Sequence, residues 1–274
     1  MIEAITFDFG NTLVPVPAAG LRAVVAATAA AMAERLGPFD ADEVLTVWAE
    51  ERERQFREEV PQFREVDLAQ RVVRILARLR GMPPPDPAER WDDEGAAGRS
   101  TPHEVAWAVA VYSDAFVASL PPAPQAGALL ARLAGDHRLA ILSNWPLAAT
   151  IDRYVEAAGW SRHLAAVVVS QRVGTIKPHP AIFAATRAAL GDPEPDRILH
   201  VGDDWAADIV GAASAGWRTA YLLARPGDSP LPRSDRDGDV TPDLELRNLG
   251  DLEPGLARLA MGASAGRLAS RGGA

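Results

Sequence analysis

A short apolar run, Ile5-Thr6-Phe7, ends in a single acid, Asp8, and the turn Gly10-Asn11-Thr12 follows at once. Residues 17–120 then read as helix alone, until Pro121-Pro122-Ala123-Pro124 breaks the chain. From residue 126 onward, short apolar runs alternate with helical segments. Alternation of this kind means βαβ units and a parallel sheet. The first strand has to rejoin that sheet, with the helical stretch inserted directly behind it. A further consequence is local: an acid at the C-terminal tip of a buried strand sits where open α/β sheets place their ligands.

The helical stretch divides at its breakers. Residues 18–36 form one expected helix, stopped by Gly37 and Pro38. Asp40 with Glu43 three positions on has capping-box spacing and opens a helix to about residue 60. Within it, Glu50-Glu51-Arg52-Glu53-Arg54 reads as a solvated face with i,i+4 pairs. Leu68, Val72, Ile75, Leu76 and Leu79 predict a helix over 67–80, and Pro102 in a first turn predicts another over 101–120. After the break, strands are expected at 139–142, 165–169, 197–201 and 217–223, with a last short one at 244–249. The loop after the third strand is expected to span 170–177. The tail over 263–274 is small and polar and reads as disordered.

With 274 residues, 48% hydrophobic and 24% charged, the chain can bury a sizeable core. The net charge of -9 argues against a nucleic-acid or anionic-membrane partner. There is no cysteine, which excludes disulfides, thiolate zinc sites and cysteine catalysis, and fits a cytoplasmic protein. The Ala-rich segment 18–33 carries Arg22 and abuts Glu34 and Arg35, so a packed helix is expected there, not a membrane span. No basic region followed by a long apolar run opens the chain, so no secretory leader is expected.

Polar residues gather at the expected strand tips: Asp8, then Ser143 and Asn144, then Lys177 in a loop, then Asp203, Asp204 and Asp208. Acids from two tips can hold Mg²⁺, which takes oxygen ligands. A hydroxyl, an amide and a compact ammonium suit an anionic oxygen. Together they describe a cation-plus-phosphate pocket with Asp8 facing it.

These four clusters, in this order and spacing, resemble the motifs of the haloacid dehalogenase superfamily of Mg²⁺-dependent phosphohydrolases. The resembling stretches are Phe7-Asp8-Phe9-Gly10-Asn11-Thr12-Leu13, Ile141-Leu142-Ser143-Asn144, Lys177-Pro178-His179-Pro180, and Val201-Gly202-Asp203-Asp204 with Asp208. The subgroup is the one whose helical cap follows the first strand. The resemblance implies a Rossmann-like core of 1–16 and 121–262 with an all-helical cap of 17–120. It implies that Asp8 is a nucleophile forming an aspartyl-phosphate. Asp8, Asp203 and the Gly10 carbonyl would hold Mg²⁺, with Asp208 a direct or indirect ligand. Ser143 and Lys177 would bind the transferred phosphoryl group of a small phosphorylated substrate, while Thr12 and Asn144 would shape the loop beside it.

One position departs from the family pattern. Family phosphatases carry a second aspartate two residues after the nucleophile, where this chain has Gly10. Glycine can offer its carbonyl but has no proton to move, and such acid–base help is typically worth roughly 10²–10⁴ in rate. His179, His103 and Glu104 are candidate stand-ins, and Gly10→Asp is expected to raise phosphatase activity. The family's dehalogenases also lack that aspartate, but they use neutral residues in the fourth motif, where three acids stand here. Phosphoryl chemistry is therefore the favoured expectation over dehalogenation or a catalytically silent ligand-binding role.

Overall fold

The computed structural model describes the backbone of residues 1–271 and the side chains of residues 1–261. The first strand, β1 (Ala4–Phe7), is buried along its whole length. A strand covered on both faces reads as a continuous apolar run, and β1 does so except for Thr6. Five helices follow without any strand between them: α1 (Ala18–Arg35), α2 (Ala41–Glu59), α3 (Leu68–Leu79), α4 (Asp93–Ala97) and α5 (Pro102–Ser119). Alternation then sets in: α6 (Ala126–Leu133), β2 (Arg138–Ser143), α7 (Ala148–Ala157), β3 (Ala166–Val169), α8 (Ser170–Val173), α9 (Pro180–Ala189) and β4 (Ile198–Gly202). A π-helical turn over Trp205–Val210 leads into α10 (Gly211–Ser214), followed by β5 (Arg218–Leu222), β6 (Leu244–Leu246) and α11 (Leu252–Arg271).

The six strands form one parallel sheet in the order β3-β2-β1-β4-β5-β6. The chain winds outward to one side through β2 and β3, then returns to the other side of β1 through β4. That reversal opens a crevice at the carboxyl ends of β1, β2 and β4. Phe7 is level with both Ile141 and Val201, so the next residues of the three strands emerge together.

The inserted helices seat on this end of the sheet. The Leu68 N–H at the start of α3 donates to the Pro146 carbonyl at 2.9 Å, just past the β2 tip. Beside it, Gln171 Nε2 donates to Asp67. On α5, Ser113 Oγ meets Thr150 Oγ1 at 2.9 Å, and the Tyr154 hydroxyl donates to the Leu120 carbonyl at 2.7 Å. Phe9 and Phe116 stack on each other at this junction and meet Trp145 and Tyr154 edge-on, with Phe9 5.5 Å from Trp145 and 5.2 Å from Tyr154. One apolar cluster therefore runs from the sheet into the insert.

Four sequence expectations change. Residues 170–177 are not all loop, because Ser170–Val173 closes one helical turn. Asp40 caps α2 through the N–H groups of Asp42 and Glu43, but the reciprocal capping box is made at α5, between Thr101 and Glu104. The charged stretch 50–54 is not a solvated face. Glu51 and Arg54 are buried, and they hold α3 and the proline-rich segment after it. At the C-terminus, α11 runs past residue 263, where disorder was expected, and residues 272–274 lie outside the described residues. No described helix is long and apolar enough to cross a membrane.

Candidate active site

Asp8 leaves the tip of β1 with its backbone N–H bonded to the Val201 carbonyl of β4. Its Oδ1 accepts from Ser143 Oγ at 3.0 Å and from Lys177 Nζ at 2.9 Å. No donor reaches Oδ2 among the described residues, which leaves that oxygen free. Lys177 Nζ also donates to Asp208 Oδ1 at 2.6 Å and to the Leu142 carbonyl at 2.9 Å. The ammonium is 2% exposed, so it acts as a fixed charge between two buried carboxylates.

Asn144 explains how a loop lysine reaches the strand tips. Its Oδ1 accepts from the Lys177 N–H at 2.7 Å, and its Nδ2 donates to the Lys177 carbonyl at 3.0 Å. This two-way clamp fixes the lysine backbone and uses both ends of the amide. The amide was expected to bind an anion; it positions Lys177 instead.

Asp203 follows β4. Its Oδ2 accepts from Arg225 Nη1 at 3.0 Å. Burial, together with the charges of Asp8 and Asp208, pushes its carboxyl up to about 8, against the pull of Arg225. Burial likewise raises Asp8, with Lys177 opposing. Burial works on Asp208 in the same direction, yet Lys177 and His200 hold it well below the usual carboxylate range. Both Asp208 oxygens are engaged, Oδ1 by Lys177 and His200 and Oδ2 by the Asp204 N–H. Asp204 caps the π-helical turn and accepts from Ser234, so it anchors a loop.

The cluster fits a divalent cation. Asp8, Asp203 and Asp208 each offer an oxygen, and these oxygens lie within 4.8 Å of one another. Three buried carboxylates this close repel one another, and hard oxygen donors suit Mg²⁺. Asp8 and Asp203 have free oxygens for it, while Asp208 mainly orients Lys177. Gly10 lines the same cavity.

The cavity over the tips holds about 470 Å³ and is walled by Trp48, Phe56, Tyr112, Trp145 and Leu231. Thr12 is not part of it. It lines a second cavity with Pro124 and Arg225, and its buried hydroxyl has no partner among the described residues. Thr12 is therefore not placed to touch a phosphoryl group in the first cavity. None of the expected stand-ins for the missing acid lines the first cavity either. His179 caps α9, Glu104 pairs with Arg80, and His103 is exposed. Glu65 does line it, and burial raises its carboxyl.

Sequence reasoning missed several contributors. His200 was expected to be a packing residue, and it is fully buried. Its Nε2 also meets Asp208 Oδ1 at 3.0 Å, while Nδ1 meets Thr6 Oγ1 at 2.8 Å. Burial keeps the ring neutral, so Nε2 carries the proton to Asp208 and Nδ1 accepts from Thr6. Its two-residue offset from Gly202 on a buried strand was the available signal. Arg225 and Leu231 lie in a proline- and glycine-rich loop that carries no motif.

The comparisons with known proteins agree with this architecture. A model of the haloacid dehalogenase-like hydrolases matches residues 2–216, and the chain belongs to that family. It is 30% identical over 142 residues to the pyrimidine 5'-nucleotidase YjjG of Escherichia coli, a match covering 52% of this chain and 60% of that one. It is also 30% identical to a glyceraldehyde 3-phosphate phosphatase of Methanopyrus kandleri, over 57% of this chain and 67% of that protein. Among solved structures, a 2-haloacid dehalogenase from Pseudomonas syringae pv. Tomato superposes with a TM-score of 0.67 at 24% identity, covering 94% of this chain and all of that one. At that identity the likeness is one of fold.

Proposed function

We propose that this hydrolase is a Mg²⁺-dependent phosphatase of small phosphorylated molecules, working through an aspartyl-phosphate on Asp8. The observation that carries this reading is the ion-paired cluster itself: Asp8, Lys177 and Asp208 in direct contact, with Asp203 beside them. In this reading the core comprises 1–16 and 121–262, and residues 17–120 form a cap that excludes water from the crevice.

Asp8 Oδ2 attacks the phosphorus, and the bond to the leaving oxygen breaks with its electron pair on that oxygen. Lys177 and Ser143 hold the other Asp8 oxygen in place and face the incoming phosphoryl oxygens. A Mg²⁺ ion would supply positive charge to offset the repulsion between the Asp8 carboxylate and an anionic substrate. Its residues would be Asp8, Asp203 and the Gly10 carbonyl, with Asp208 behind them. The leaving oxygen takes its proton from Glu65, which lines the cavity and whose pKa burial raises above the usual carboxylate value. Water then attacks the phosphorus and gives its proton back to Glu65, the bond between the Asp8 oxygen and phosphorus breaks, and inorganic phosphate leaves with the carboxylate regenerated.

Acetyl phosphate and p-nitrophenyl phosphate are the test substrates, each assayed with Mg²⁺ and with EDTA. Mg²⁺-dependent release of phosphate that Asp8→Asn abolishes is expected. Glu65→Gln should slow alkyl phosphomonoesters by roughly 10²-fold and acetyl phosphate far less, because an acyl leaving group needs little protonation. Chloride release from 2-chloropropionate in EDTA would instead establish dehalogenation. Calorimetric Mg²⁺ uptake with no turnover of any substrate would leave a ligand-binding protein.

A further inference from the structure

The roof of the cavity carries a buried cation that makes no ion pair among the described residues. Arg71 stands on α3, one turn beyond the point where that helix meets Pro146 at the β2 tip. It is 5% exposed and lines the cavity. Its Nε donates to Gln55 Oε1 at 2.9 Å, and Gln55 is itself fixed by the Asp67 carbonyl. Its two terminal amino groups have no hydrogen-bond or ion-pair partner among the described residues. Burial lowers its pKa only to about 10, so it remains charged at neutral pH.

Tyr112 stands beside it on α5, 5% exposed, with a hydroxyl that also lacks a partner among the described residues. Its ring is held between Trp48 at 6.1 Å and Phe116 at 6.4 Å, so the hydroxyl is aimed and not free to wander. Arg52, stacked 4.7 Å over Phe56, adds a second positive charge to the same wall. Glu65 and Asp67 are the acids whose charges act on Arg71, but neither bonds it: Glu65 accepts from Ser170 Oγ and the Val66 N–H, and Asp67 from the Gln70 N–H and Gln171 Nε2.

An unpaired buried charge is costly, and a guanidinium presents two parallel N–H groups matched to a carboxylate or phosphate. The same enclosure would strengthen any ion pair formed there. We propose that the substrate carries a second anionic group, a carboxylate or a phosphate, at the end remote from the transferred phosphoryl group, where Arg71 and the Tyr112 hydroxyl bind it. The cavity volume suits a small molecule, and the aromatic walls would flank its middle. This inference rests on the phosphatase reading for the other end of the molecule.

Two substrate pairs isolate the second charge. In one, 3-phosphoglycerate is compared with glycerol 3-phosphate, which differ by carboxylate against hydroxymethyl. In the other, fructose 1,6-bisphosphate is compared with fructose 6-phosphate. Affinity is read by calorimetry on the Asp8→Asn protein with Mg²⁺, and kcat/KM on the unsubstituted enzyme. The doubly anionic member of at least one pair should be favoured about 30-fold, as expected for a charge-assisted hydrogen-bonded pair. The pair that shows the preference identifies carboxylate or phosphate. Arg71→Met should bring that ratio close to one, Arg71→Lys should restore part of it, and Tyr112→Phe should lower it about fivefold. Tyr112→Phe conserves the ring and its packing, and so keeps the test valid if Arg71→Met does not fold. Ratios within twofold of one for both pairs, or ratios indifferent to Arg71→Lys and Tyr112→Phe, overturn the inference. Selective binding without turnover upholds the anion subsite and sinks the phosphatase reading. Turnover without selectivity does the reverse.

Discussion

Gly10 owes its lack of a side chain to crowding as much as to chemistry. A Cβ there would stand 2.6 Å from Leu231 Cδ1 and 3.1 Å from Trp145 Cζ3. The space a family acid would occupy is filled by the loop after β5. This modifies the expectation that Gly10→Asp alone raises activity. The single substitution should destabilise by about 1–3 kcal/mol, the usual cost of overpacking, read from the denaturant midpoint. Gly10→Asp with Leu231→Ala removes the obstruction, and its phosphomonoester turnover should rise above that of the parent. A double variant no faster than the parent would show that Glu65 or another group already supplies the proton. Leu231 was illegible in the sequence because nothing in residues 225–241 marks which side chain folds back. Asp8, Ser143 and Asp203 were legible because each ends or follows a short apolar run, and Lys177 and Asp208 through their places in the ordered motifs. Arg71 was not, since an arginine among Leu68, Val72 and Ile75 looks like the polar side of an amphipathic helix.

The inserted helices show the difference between pattern and partner. Their number and limits followed from glycines, prolines and apolar spacing, apart from the five-residue α4. Which charges are buried did not follow. Glu51, 1% exposed, accepts from Arg78 Nη1 at 3.0 Å and from Trp91 Nε1 at 2.9 Å. Both donors lie too far along the chain for an i,i+4 rule to find them. Removing the acid leaves Arg78 Nη1 and the Trp91 indole N–H without a partner while Glu50 still holds Arg78 Nη2, so Glu51→Ala should cost about 2 kcal/mol in chemical denaturation, against little for the exposed Glu53→Ala. At the start of α5, Glu104 completes the capping box and pairs with Arg80. The Arg80 hydrogen bond, with help from Thr101, lowers its pKa to about 2. A depressed carboxylate stabilises fully above its unfolded value of 4.5 and loses that effect as pH falls through about 2. The melting temperatures of the parent and Glu104→Gln should therefore differ at pH 7 and converge near pH 2. A constant difference across that window would show that the charge is not what matters.

At the scale of the molecule, the site exists because β1 lies in the middle of the sheet. Alternation announced a parallel sheet, but no residue announced that β2 and β4 would flank β1, the placement that brings Ser143 and Asp203 to Asp8. The loop after β5 then closes the assembly, reaching both the strand tips and an inserted helix. Ser229 bonds Asn11, Ser234 bonds Asp204, and the Pro230 carbonyl accepts from Arg52 on α2. Arg225 is the electrostatic part of that closure, and it occupies one oxygen of Asp203 while lowering the negative charge available to a cation. Replacing it should have opposite effects on the two states of the protein. Without Mg²⁺, Arg225→Met leaves Asp203 buried beside two other acids and should lower the melting temperature. With Mg²⁺, the same variant offers a more negative cluster and a freed oxygen, so the calorimetric dissociation constant should fall about tenfold, since a unit charge at close range outweighs the lost hydrogen bond. The melting temperature should recover as Mg²⁺ is added, by mass action on the folded state. Weaker or unchanged Mg²⁺ binding would mean that Arg225 holds Asp203 in its ligating position instead of competing for it.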